Sequence, residues 1–148
     1  MFGKQLTIGI ALVFFLNGSA LAASWVASSS TCNIRTYPNL NSTSNIMLRV
    51  PRYYPLKVQE KKDSFYRVQD YKTRTGWIHD SVVGDIQGVV VRKPIVNIRK
   101  EPGTNSDIVF KAKEGVTFKV LQKKGDWLKV QHESNRKGWI YKTLVWGI

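Results

Sequence analysis

The sequence predicts an all-β chain made of two small barrels in tandem. Three matched phrases in fixed order carry this reading. Asn33-Ile34-Arg35 recurs as Asn97-Ile98-Arg99, 64 residues later. Phe65-Tyr66-Arg67-Val68 recurs as Trp127-Leu128-Lys129-Val130, and Gly76-Trp77-Ile78 as Gly138-Trp139-Ile140, both at 62. Three anchors at a near-constant offset mark an internal repeat. Between them the apolar residues alternate with polar ones, the period of half-buried strands, and no stretch after the first 22 residues shows helical periodicity.

Residues 1–22 read as a signal peptide. Lys4 precedes an apolar run from Leu6 to Leu16, Asn17-Gly18-Ser19 breaks it, and Ala20-Leu21-Ala22 fits a small-x-small cleavage site. Such a run is too short for a stable membrane span, which needs roughly 20 apolar residues to cross about 30 Å. The expected address is exported, periplasmic or secreted.

The first repeat is expected over residues 23–84, a short link over 85–88, and the second repeat over 89–148. Trp25-Val26 are aligned with Val89-Val90, which places a first strand after the leader. Leu56 and Val58 then form a strand, Lys62-Asp63-Ser64 a turn, and Tyr66 and Val68 the returning strand. Asp70 to Thr75 is a loop before the strand that carries Gly-Trp-Ile. In the second repeat Val116, Phe118 and Val120 alternate with Thr117 and Lys119, placing the latter two on the solvent face. Lys123-Lys124-Gly125-Asp126 is turn chemistry, with Gly125 suited to a positive φ. Leu128 and Val130 alternate with Trp127 and Lys129, and Glu133 to Lys137 is a polar loop. Gly76 and Gly138 fit a bulge or a close backbone approach.

Each repeat has about 60 residues, a size that is marginally stable alone. A short link means that the two touch or hold a limited range of angles, and the apolar ending Leu144-Val145-Trp146 serves either a shared interface or the second core.

An irregular loop follows each Asn-Ile-Arg. It contains Tyr37-Pro38-Asn39-Leu40 in the first repeat and Glu101-Pro102-Gly103-Thr104 in the second, and the first is two residues longer. This order of phrases resembles the bacterial SH3-like (SH3b) family over most of the chain. The resemblance implies small SH3-like β-barrels and a non-catalytic binding role, often toward cell-wall peptides or glycans. The acidic and aromatic signature of polyproline-binding SH3 domains is missing, so PxxP recognition is not expected.

Net charge is +13, from 23 basic and 10 acidic residues, and +12 without the leader. The excess favours an anionic partner. The expected ligand is a cell-envelope peptide or glycan; the alternative is a host or partner protein met by a secreted factor. Export disfavours nucleic acid.

Candidate ligand-binding residues are Arg35 and Arg99, whose guanidinium groups suit a carboxylate or a phosphate, and Tyr37, Tyr53, Tyr54, Trp77, Trp127, Trp139 and Tyr141, whose rings suit stacking. Specificity is expected where the repeats differ, between Tyr37–Tyr54 and Glu101–Val116. His79 and His132 fall at non-equivalent places and Cys32 is the sole cysteine, so neither a metal site nor a nucleophile is expected, and no cofactor. Cys32 aligns with Val96, the mark of a small buried apolar position.

Overall fold

A computed structural model describes residues 25–148. The expected signal peptide lies outside the described residues. Among those described, no α-helix occurs and no helix is long and apolar enough to cross a membrane.

The first unit contains β1 (Trp25–Ser28), β2 (Cys32–Arg35), β3 (Ile46–Val50), β4 (Pro55–Lys62), β5 (Phe65–Gln69), β6 (Thr75–His79), a 3-10 turn (Asp80–Val82) and β7 (Val83–Gly84). The second repeats it with β8 (Gly88–Val91), β9 (Ile95–Arg99), β10 (Ile108–Lys113), β11 (Thr117–Lys124), β12 (Trp127–Gln131), β13 (Lys137–Tyr141), a 3-10 turn (Lys142–Leu144) and β14 (Val145–Trp146). Each forms a seven-stranded antiparallel sheet with the same order, β3-β2-β6-β5-β4-β1-β7 and β10-β9-β13-β12-β11-β8-β14. A register shift in the long strand, between Val58 and Glu60 and between Val120 and Gln122, bends each sheet at the same point.

The hydrophobic pattern is realised as alternation requires. Ile34, Leu56, Val68 and Ile78 are closed off from solvent in the first barrel, and Ile98, Phe118, Leu128, Val130 and Ile140 in the second. Gly76 and Gly138 are positions of close approach: a Cβ there would stand 2.6 Å and 2.5 Å from the Ile34 and Ile98 side chains. The tight turns follow their sequences too, with Asp63 at φ 50° and Gly125 at φ 56°.

Pairing register corrects the alignment of the first strands. Trp25 lies opposite Lys57 and Gly88 opposite Lys119, so Trp25 corresponds to Gly88 and Val26 to Val89. The second barrel holds one more residue between its first two strands, which displaced the sequence alignment by one.

The barrels are packed against each other along β8, all four residues of which are buried. Val89 and Val91 belong to the second core, while Val90 enters the core of the first. Gly88, assigned to the link from sequence, opens this strand, and a Cβ on it would collide with the Tyr53 carbonyl oxygen. Trp146 packs on the first core and meets Trp25 edge-to-face, with ring centroids 4.6 Å apart. Val145 stays in the second core, so the apolar ending serves both purposes weighed from sequence. Thr117, expected on the solvent face, is buried here and donates to the Arg52 carbonyl oxygen at 2.6 Å. Glu114 receives the Lys72 ammonium at 3.3 Å and the Tyr71 hydroxyl at 3.5 Å across the same junction.

Candidate functional site

Antiparallel pairing brings several of the expected ligand-binding residues to one sheet face. In the second barrel, Trp127 is opposite Tyr141 and Lys129 opposite Trp139, and Trp139 is in turn opposite Arg99. Residues directly opposite share a face, and alternation adds those two places along. Arg99, Trp139, Lys129, Trp127 and Tyr141 therefore share one sheet face, a patch spanning β9, β13 and β12. The first barrel builds the equivalent patch from Arg35, Trp77, Arg67, Phe65 and His79.

The two patches differ in which aromatic is covered: Trp139 is buried in the second and Phe65 in the first. Trp127 and Tyr141 are both half-buried and stand edge-to-face with centroids 5.4 Å apart. Their counterparts Phe65 and His79 make a similar contact at 5.0 Å, with Phe65 buried. Lys129 lies half-buried with its ammonium 6.0 Å from the Trp139 ring centroid. At the patch edge the Asp126 carboxylate accepts from the Tyr141 hydroxyl at 3.1 Å and pairs with Lys142 at 2.7 Å. Lys142 and then Tyr141 hold the Asp126 carboxyl below its ordinary range; Asp126 in turn raises the Tyr141 hydroxyl and the Lys142 ammonium. This fixes the rim beside the half-buried Trp127 and Tyr141 rings.

Not every expected residue is free to bind. The Arg35 guanidinium donates to the Ser42 carbonyl at 2.8 Å and to Asn45 Oδ1 at 2.6 Å, and Arg99 donates to the Ser106 carbonyl at 2.7 Å. Both hold the irregular loops in place, so the Asn-Ile-Arg phrase is first a loop anchor. Trp139 is only 6% exposed and lies mostly beneath the patch. Tyr37 is 67% exposed at the loop tip, in neither row of the patch.

Tyr53 and Tyr54, expected as exposed stacking surfaces, are 6% and 4% exposed. Tyr53 takes a left-handed φ of 66°, which breaks strand alternation and lets two successive rings turn inward. Gly115 holds the same place in the second barrel with φ 87°. Tyr54 sends its hydroxyl to the Asp70 carboxylate at 3.2 Å; burial, then the Asp70 charge, pushes that hydroxyl well above its ordinary range. Asp70, only 2% exposed, also accepts from the Lys72 and Arg74 amides and from the Arg74 side chain at 2.8 Å.

Lys129 and Arg67 were overlooked from sequence. Alternation with Leu128 and Val130, and with Val68, was the available signal, since it sets each cation on the same face as the aromatics. Beside the first patch a cavity of about 220 Å³ is lined by Cys32, Arg35, Leu40, His79 and Val82. Cys32 and His79 share it, yet the thiol is raised to about 11 by burial and His79 Nδ1 is engaged with Ser81 at 2.8 Å, an arrangement unlike an activated nucleophile. Among the described residues no cluster of three His, Cys, Asp or Glu side chains could hold a metal ion.

Residues 29–84 and residues 92–147 each match a family described as bacterial SH3 domain. Over 56 residues the chain is 32% identical to YrvJ of Bacillus subtilis (strain 168), whose name assigns it, provisionally, N-acetylmuramoyl-L-alanine amidase activity. That stretch is 38% of this chain and 11% of the Bacillus protein. Two solved structures from Trichomonas vaginalis are also similar in part. NlpC2 shares 16% identity at a TM-score of 0.37, over 82% of this chain and 47% of that one. NlpC1 shares 16% at 0.36, over 91% and 50%. The chain thus spans about a tenth of the curated relative and about half of each solved structure.

Proposed function

Because the chain belongs to the bacterial SH3 domain family and carries two of its domains in tandem, we propose that it is an exported, non-catalytic protein that binds peptides or glycans of the cell envelope, peptidoglycan first among them. The observation that carries this reading is the patch of half-buried Trp127 and Tyr141 beside Lys129 on one face of a bacterial SH3 domain. Flat ring faces suit the apolar faces of sugars, and a neighbouring ammonium suits the carboxylates of wall peptides. The stretch shared with the amidase-named protein has the length of one domain and is a tenth of that chain, which supports a shared targeting unit. The charge of +12 without the leader adds a general attraction to an anionic wall.

The test is co-sedimentation of the full chain with purified peptidoglycan across a salt series. Specific recognition predicts that pelleting persists beyond the range of about 50 to 200 mM in which purely ionic attachment fades. No pelleting at low salt overturns the proposal. Pelleting that vanishes within that range reduces it to charge attraction.

A further inference from the structure

We propose that the second domain holds a separate pocket for a small apolar carboxylate, opened by coordinated differences from the first domain. Strand register and matching backbone hydrogen bonds make Tyr54 equivalent to Val116, Asp70 to His132, and Arg74 to Arg136. In the first domain the Tyr54 ring lies buried with its hydroxyl on Asp70, and Asp70 holds the Arg74 guanidinium at 2.6 Å. Ring, carboxylate and guanidinium make a closed set.

In the second domain two members of that set are gone. Val116 is much smaller than tyrosine, and His132 carries no carboxylate. An open cavity of about 360 Å³ lies between them, with Phe110, Ala112 and Val116 supplying its apolar wall. This is within the usual range of small-molecule pockets, about 300–1,000 Å³. Arg136 is exposed, lies 4.1 Å over the Phe110 ring, and has no carboxylate partner among the described residues. Lys111 and Lys113 add cations to the rim, and no acidic side chain lines the cavity. His132 Nδ1 is engaged with Ser134 at 2.8 Å, which leaves its other ring nitrogen for a ligand.

The first domain thereby describes the ligand. An aryl or alkyl group takes the volume of the Tyr54 ring, and a carboxylate takes the place of Asp70 opposite the arginine. A guanidinium stacked on an aromatic ring keeps its edge free for such a pair. This site is distinct from the Trp127 patch and does not depend on its ligand.

The test is amide-resolved NMR titration of the full chain with 3-phenylpropionate, against neutral 3-phenylpropanamide and against acetate. The expected result is shifts at Ala112, Val116 and His132 with the phenyl carboxylate, at least fivefold weaker binding of the amide, and no such response to acetate. Arg136→Gln, an exposed change that leaves the fold intact, should weaken binding at least fivefold. Val116→Tyr with His132→Asp, which restores the ring and the carboxylate of the first domain, should abolish it. If that double variant does not fold, Arg136→Gln decides alone. Shifts confined to the Trp127 patch, equal binding of the amide, or an unchanged affinity in Arg136→Gln each overturn the proposal.

Discussion

The hydroxyl of Thr117 in the second barrel donates to the backbone carbonyl of Arg52 in the first, at 2.6 Å. Thr117 is 4% exposed, so water cannot replace that partner from its side. Thr117→Val keeps the shape and removes the donor. It should destabilise the protein by about 0.5–1.5 kcal/mol, the usual net contribution of one intramolecular hydrogen bond. Thr117→Ser should remain close to the parent. Urea unfolding reads both; a valine variant as stable as the parent would show that the junction contributes little.

Gly88 presses its backbone against Tyr53 of the other barrel, leaving no room for a Cβ. Gly88→Ala forces the junction apart and should cost about 1–3 kcal/mol, as overpacking usually does. Gly84→Ala is the internal control, because its Cβ would meet only Ile86 at an ordinary 3.8 Å. Its effect should stay within about 0.5 kcal/mol. Comparable losses in the two variants would refute a tight junction at Gly88.

These contacts mark where the sequence stopped being legible. The repeat, the strands and their turns were readable because each follows from a local signal: alternation around Phe118 and Leu128, or a turn at Gly125. The patch was partly readable, since Trp127 alternates against Leu128 and Val130. The junction was not. Val90 looks like any strand residue, and only the neighbouring barrel decides that both faces of β8 are buried. Tyr53 and Tyr54 were misplaced for a similar reason: a left-handed tyrosine has no sequence mark, and it turns both rings inward.

The patch makes a prediction that separates its aromatics from the loop tyrosine. Trp127 is half-buried at a hairpin end and edge-to-face with Tyr141, so Trp127→Ala should leave the fold intact. It should weaken retention on peptidoglycan about tenfold, equivalent to about 1.4 kcal/mol. Tyr37→Ala, at an exposed place outside the patch rows, should leave retention unchanged. Quantitative pelleting of both variants checks this, and the reverse ranking would move the site to the loop.

Cys32 supplies the alkaline test. Burial raises its thiol from 9.0 to about 11, so the folded protein holds that proton when the unfolded chain has released it. A pKa raised on folding means that stability is fully present below pH 9 and falls as pH rises toward about 11. The shift of about two units bounds the loss at about 3 kcal/mol. Tyrosines and lysines titrate nearby, so the readout is the difference between the parent and Cys32→Val, which places here the residue found at the equivalent Val96. Denaturant unfolding at pH 8 and pH 10.5 should show the parent losing more stability than the variant. Native Cys32 should also react with iodoacetamide at pH 8 well below the rate of the unfolded chain, because both thiolate and access are scarce. Parallel pH dependence in the two proteins together with rapid alkylation would mean that the thiol is exposed and unshifted.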